Sequence, residues 1–363
     1  MTAPADDRPV TTWVDVPEAP PIPGLRFRRS HRDDADYAAG ARVACAAALV
    51  DQIPWQPTPE HIRDDWEQPS SLDPIDDLLL AEIDGTVIGY GAVSRMVRDG
   101  VTVFSLDGNV HPDHRRRGIG GAIFAHGLRR AEARAATEPP EAAIDFGAFA
   151  QETEHACIAM IEANGFRPVR WFHLMGRDLR QAIPDAPLPD GLEIRPMTAD
   201  HYRAVLDAEA EAFRDHWGAH DPTPETFDQT YGKKEFEPDL WVVAWAGDEV
   251  AGVVQNWIWA DENVALGVRR GWLEHISVRR PWRRMGLARA ITAESLRRLA
   301  ARGLDEGMLG VDADNPNGAL GLYLGLGFSV VSRSFPYRRE YARPTTPADR
   351  DAVPSRLIRH DPT

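Results

Sequence analysis

The chain has 363 residues, a formal net charge of -15, 43% hydrophobic residues and 27% charged ones. That is a globular composition, long enough for two ordinary domains. The acidic balance excludes the basic surface that nucleic-acid binding needs, and no run of about 18 apolar residues supplies a membrane span.

No apolar stretch follows basic residues near the N-terminus, so no secretory leader is expected and the expected compartment is the cytoplasm. Cys45 and Cys157 lie in helix-like segments far apart in sequence, which is neither a disulfide framework nor a metal site. Residues 1–23 are rich in Pro, Asp and Thr and read as a flexible tail. Leu25–Arg28 opens the ordered chain as a short strand. Helices follow at about 34–49 and 58–67, then hairpin strands turning at Asp84-Gly85. Residues 104–123 run from an apolar strand into a basic, glycine-containing turn, with Ile119, Ile123 and Leu128 at helical spacing beyond it. A further strand, a helix and the strand start at Gly165-Phe166 complete a first domain of residues 24–180. Residues 181–190 form a proline-rich linker.

The second domain, residues 191–342, repeats this order. Leu192-Glu193-Ile194-Arg195 answers Leu25–Arg28, helices at about 198–213 and 222–231 answer the first pair, and Leu240–Val253 answers Leu78–Tyr90. Residues 274–290 repeat the strand, basic turn and helix, with Leu287, Ile291, Leu296 and Leu299 at helical spacing. Leu326-Gly327-Phe328 answers Asn164-Gly165-Phe166. Landmarks kept in one order at nearly constant offset mark an internal duplication. Each copy reads as an α/β domain with a mixed sheet. Residues 343–363 read as a second flexible tail.

The repeated turn has a chemical meaning. A glycine at the strand end lets the backbone turn sharply. The amides that follow stand at a helix N-terminus with unpaired N–H groups and the positive end of the dipole. Such a turn holds a pyrophosphate through its backbone. The pattern Arg-x-x-Gly-x-Gly/Ala occurs at Arg115–Gly120 and at Arg283–Ala288. It is neither the dinucleotide fingerprint nor a Walker A loop.

With this motif present twice, both halves resemble the GCN5-related N-acetyltransferase (GNAT) family, whose signature it is at the acetyl-CoA pyrophosphate. The second half also carries the family's Asn315, Ala319, Leu322-Tyr323 and Leu326-Gly327-Phe328. The tandem arrangement resembles actinobacterial two-domain members that acetylate a cysteinyl amine. The resemblance implies an α/β fold of two tandem domains, each a mixed, largely antiparallel twisted sheet flanked by helices. It implies acetyl-CoA as cosubstrate without a metal and a small-molecule amine as acceptor, with no nucleic-acid or membrane partner. A duplicated chain can mimic a family dimer, so a monomer is expected.

The resemblance also implies the cofactor residues. In the second half they are Ile276, Val278, Arg283, Arg284, Gly286, Leu287, Ala288 and Asn315. In the first half they are Val110, Arg115, Arg116, Gly118 and Gly120. Alternation along a strand places Trp272, Glu274, Ile276 and Val278 on one face, where the family keeps its base, so Glu274 is the expected base and His275 the alternative. Tyr323 is the expected general acid, a phenol suited to protonate a departing thiolate. Counting back from the turns puts Leu106 at the place of Glu274, with Asp107 facing the other way, and Ile161 at the place of Tyr323. The first half is therefore expected to bind a CoA at most. Glu211, Asp215, His216 and Trp272 are the expected acceptor contacts, acids and aromatics suited to a cationic amine. His111 and His114 lie in a polar turn, and no cluster has metal-ligand spacing. Two readings stand beside simple amine acetylation: acetylation of a cysteinyl-amino sugar, and a non-catalytic acyl-CoA-binding module.

Overall fold

The computed structural model describes residues 11–68, 71–214, 216–217, 224–315 and 318–343. The first half runs β1 (Trp13–Val14), β2 (Leu25–Arg28), α1 (Asp34–Asp51), α2 (Pro59–Trp66), β3 (Leu78–Ile83), β4 (Thr86–Arg98), β5 (Val101–Val110), α3 (Ile119–Ala135), β6 (Ala143–Gln151), α4 (His155–Ala163), β7 (Arg167–Pro168) and β8 (Phe172–Asp178). The second runs β9 (Glu193–Arg195), α5 (Tyr202–Phe213), α6 (Pro224–Tyr231), β10 (Val242–Ala246), β11 (Glu249–Trp257), α7 (Ala260–Leu266), β12 (Arg270–Val278), α8 (Leu287–Ala301), β13 (Glu306–Asp312), α9 (Ala319–Gly325) and β14 (Ser329–Glu340).

Local chemistry explains the boundaries. Asp33 caps α1 by accepting from the Asp36 amide, and Thr58 with His61 forms a capping box at α2. Asp84 and Gly85 turn the β3–β4 hairpin at φ 49° and 79°, the left-handed pair that a two-residue hairpin requires. The expected helices are all found. Helix α7 was not expected; it fills the place where the first half has only the tight turn at Asp99-Gly100.

Two features depart from the expected order. Trp13 and Val14 pair with Arg28 and Phe27, and Val16 is buried with Phe27, Ile119 and Ala122. Residues 11–23 of the expected tail are therefore anchored to the domain, because Val16 finds an apolar groove beside α3. Residues 1–10 and 344–363 lie outside the described residues. The second departure is an exchange of strands. β14 lies between β6 and β8, and β8 pairs with β13. Met175 of β8 is thus buried in the second half's core, and Tyr337 of β14 in the first half's. The linker divides the chain in sequence, but one continuous sheet joins the halves.

Candidate active site

The two basic turns share their backbone course and one arginine bond, although the Arg115 guanidinium also pairs with Asp51 where Arg283 donates to the Ala212 carbonyl. Arg283 Nε donates to the Val278 carbonyl at 2.9 Å, and Arg115 Nε donates to the Val110 carbonyl at 3.0 Å. Each arginine ties the strand end to the turn. Arg284 and Gly286 stand at φ 62° and 90°, and Arg116 and Gly118 at 60° and 87°. Gly286 starts α8 and Gly118 starts α3, neither with a side-chain cap. The first amides of both helices therefore lack a side-chain cap, an arrangement suited to an anion. The surroundings differ. A Cβ added to Gly286 would meet nothing within 4 Å, whereas one added to Gly118 would lie 3.3 Å from Pro20 Cβ. The N-terminal segment runs past the first cradle, held there by Val16 and by the Glu18–Arg129 ion pair.

Below each cradle the sheet opens. The parallel β12–β13 ladder ends at Trp272–Met308, and the parallel β5–β6 ladder ends at Ser105–Gly147. Beyond those pairs the strands diverge, so β12 backbone groups on that edge have no ladder partner on β13.

A bulge at the opening reverses the expected alternation. Val253 pairs with Ser277 and Gln255 with Glu274, which leaves one extra residue on β12. His275 takes φ 47° there. An extra residue flips every later side chain to the other face. Trp272 and Glu274 therefore face the α5–α6 side, while Ile276 and Val278 pack with Leu273 against α8. The four residues expected on one face are split two and two. The bulge also corrects the counterpart of Glu274. Gln255 lies three residues beyond Gly252, the partner of Val278; Ala92 lies three beyond Gly89, the partner of Val110, and pairs with Asp107. Asp107 stands at the place of Glu274, and Leu106 at that of buried Leu273.

Desolvation raises the Glu274 carboxyl above the usual range, against the opposing pull of His275, Lys233 and Trp259. His275 Nδ1 lies 2.8 Å from Glu209 Oε1, and Gln255 Nε2 donates to Glu209 Oε2 at 2.6 Å. Desolvation works against the imidazolium of His275, but the Glu209 carboxylate outweighs it and raises the imidazole pKa. Glu209 did not stand out in sequence. Its signal was its place on the apolar stripe of α5 with Val205, Ala208 and Ala212. Tyr323 on α9 is buried among core residues, its ring 5.9 Å from Phe328. Desolvation holds its phenol above the ordinary value.

Glu274 lines a cavity of about 990 Å³ between α2 of the first half and α6–α7 of the second. Trp259 stacks on Trp257 at 5.5 Å, His61 meets Trp259 edge-on at 5.3 Å, and Lys233 lies over the Trp259 ring. Trp272 Nε1 donates to Glu262 at 3.2 Å, the Gln56 amide donates to the same carboxylate at 3.4 Å, and Arg270 donates to the Pro54 carbonyl at 2.5 Å. These bonds fix the first half's 54–58 segment against α7. Nine carboxylates line the cavity against Arg63, Lys233 and Lys234, a field that attracts cations.

Of the expected acceptor contacts, Trp272 lines this cavity. Glu211 instead accepts from Arg279 Nε at 2.7 Å, and His216 packs on Phe213 at 4.4 Å. Asp215 lies outside the described residues. Asn315 sits in the turn after β13, where its carbonyl accepts from the Gly318 amide at 3.1 Å. The α2 wall was missed because it meets Glu274 only through the packing of the two halves, and the α7 wall because that helix was not expected. Among the described residues no group of three or more His, Cys, Asp or Glu could hold a metal ion, and no helix is long and apolar enough to cross a membrane.

The Acetyltransferase (GNAT) family matches the chain twice, over residues 43–165 and 202–328. A mycothiol acetyltransferase of Streptomyces scabiei is 30% identical over 268 residues, spanning 72% of this chain and 79% of that protein. One of a Nocardioides species is 28% identical over 313 residues, spanning 81% and 92%. Among solved structures, a GCN5-related N-acetyltransferase from Sphaerobacter thermophilus superposes with a TM-score of 0.68 at 28% identity, covering 87% of this chain and 95% of that one. A tandem GNAT protein from the clavulanic acid biosynthesis pathway shares the fold, with a TM-score of 0.66 at 18% identity, covering 87% and 98%. With both cradles, both strand openings and both family matches in register, this chain belongs to the GCN5-related N-acetyltransferase family and is an N-acetyltransferase carrying that domain twice.

Proposed function

We propose that the protein moves an acetyl group from acetyl-CoA directly to a primary amine of a small molecule, with the chemistry in the second half. One observation carries this reading: Glu274 lies at the bulge where β12 leaves β13, between the strand opening and a cavity rich in carboxylates. A cationic amine enters that cavity by charge and by the tryptophan walls. Glu274 takes a proton from the ammonium, and the free amine attacks the thioester carbonyl. A β12 amide at the opening steadies the oxyanion as the new C–N bond forms. Tyr323 gives its proton to the sulfur as the C–S bond breaks, and the resulting phenolate takes up the proton that the new amide nitrogen sheds. The Arg283–Ala288 turn, with Leu287 and Ala288 amides at its helix start, holds the pyrophosphate, and Asn315, in the turn after β13, is a further cofactor contact.

A cysteinyl-amino sugar is the acceptor favoured by the likeness to mycothiol acetyltransferases and by a cavity large enough for a sugar-bearing amine. The test is free-thiol release from acetyl-CoA across aminoglycosides, polyamines, cysteinyl-amino sugars, amino acids and lysine peptides. Release with the cysteinyl-amino sugar in preference to the others supports the narrower reading. Release with another amine class supports amine acetylation and refutes the sugar. No release with any of them counts against both.

The crowding at Gly118 bears on cofactor binding. Calorimetric titration is expected to give one CoA per chain. Gly286→Ala, forced to hold φ 90°, meets a strain of about 1–2 kcal/mol and should weaken CoA binding about tenfold. Two equivalent sites per chain, or full affinity in Gly286→Ala, would place the pyrophosphate at Arg115, Arg116, Gly118 and Gly120 as well.

A further inference from the structure

The first half keeps a small pocket where the second half has its acceptor cavity. It measures about 150 Å³ and is lined by Ser94, Arg98, Ser105, Asp107, Phe149 and Arg338, among others. Asp107 is the counterpart of Glu274, so the pocket occupies the equivalent face of the sheet.

Its charges are arranged differently. Among the described residues Arg98 and Arg338 form no close ion pair, and the carboxylates that act on them are Asp99 and Asp145 respectively. Most neighbouring arginines do form one: Arg95 pairs with Glu138, Arg170 with Asp312 and Arg339 with Glu132. The Arg338 guanidinium fits against the sheet because residue 147 is glycine: a Cβ there would lie 2.5 Å from Arg338 Nη1 and 2.9 Å from Ser105 Oγ. The Trp217 ring lies 5.6 Å from the same guanidinium. Desolvation disfavours both cations, and Arg98 adds repulsion to Arg338. Asp99 and Asp145 oppose this only in part, without a close ion pair to either arginine, so a carboxylate bound between the two guanidiniums relieves the remaining cost. Asp107 lines the same pocket, its carboxyl pushed up to about 6 by desolvation and then by Asp65. At neutral pH it is ionised and matches a cation. The volume holds about five waters at roughly 30 Å³ each, close to the size of alanine or serine.

We propose that the first half uses this pocket to bind a small α-amino acid as its zwitterion. The carboxylate lies between Arg98 and Arg338, with Ser94 and Ser105 as hydroxyl partners, and the ammonium faces Asp107. The inference is independent of acetyl transfer, since it uses no residue of the second half's site.

The experiment is titration of the full-length protein with L-alanine, with propionate, ethylamine and inorganic phosphate as separate arms. Saturable L-alanine binding is expected, with propionate and ethylamine each weaker by about tenfold. Arg338→Lys keeps the charge but loses the planar fork, and should weaken L-alanine by about tenfold or more. Asp107→Asn should weaken L-alanine while leaving propionate unchanged, a difference that loss of folding does not produce. Absence of saturable L-alanine binding would overturn the proposal. So would phosphate binding tighter than L-alanine, or equal loss of L-alanine and propionate in Asp107→Asn.

Discussion

Replacing Glu274 by Gln is expected to lower kcat by about 10²–10⁴ while leaving acetyl-CoA affinity within a few-fold. Glutamine preserves the shape and removes only the proton acceptor. The pH profile gives a second reading of the same change. Desolvation raises the Glu274 carboxyl, and the net shift stays upward although His275, Lys233 and Trp259 oppose it. A base works in its ionised form. Activity should therefore rise with pH through a value above the ordinary glutamate range, and that rising limb should vanish in Glu274→Gln. A persisting limb would transfer the role to His275. In that case Glu209→Gln decides, because Glu209 raises the His275 pKa. Removing that charge would move the limb to lower pH if His275 is the base.

Tyr323→Phe is expected to lower kcat by about 10² with little change in acetyl-CoA binding. The phenylalanine ring keeps the edge-on contact with Phe328 and the burial of the original ring, so the core loses no packed atoms apart from the hydroxyl. Burial raises the Tyr323 phenol above its usual value, which keeps the proton in place throughout the working range. Low dielectric also raises the pKa of a departing thiolate, so the two remain matched in the same environment. No falling limb from Tyr323 is expected below strongly alkaline pH. A variant with wild-type kcat would show that the thiolate leaves unprotonated or takes its proton from water. A variant whose KM for acetyl-CoA rises while kcat stays constant would make Tyr323 a binding residue instead.

Much of this protein could be read along the chain. The cradles were legible because their chemistry is local: a glycine with positive φ, an arginine tied to the strand five residues back, and a helix that starts without a cap all lie within a short segment. The duplication was legible for the same reason, since each copy repeats those segments in order. Glu274 was singled out as the proposed base by its place on the strand entering the basic turn. The face shared by its neighbours was not, because strict alternation fails wherever one extra residue enters a strand, and nothing in Glu-His-Ile-Ser announces the bulge at His275. That same bulge hid Asp107 as the counterpart of Glu274. The packing of the N-terminal segment, the exchange of β8 and β14, and the α2 wall of the carboxylate-lined cavity were decided only by tertiary structure. Sequence patterns report which face of an element is apolar. They do not report which distant surface that face will meet, because the partner is chosen by total burial and by pairing of strand edges across the whole chain.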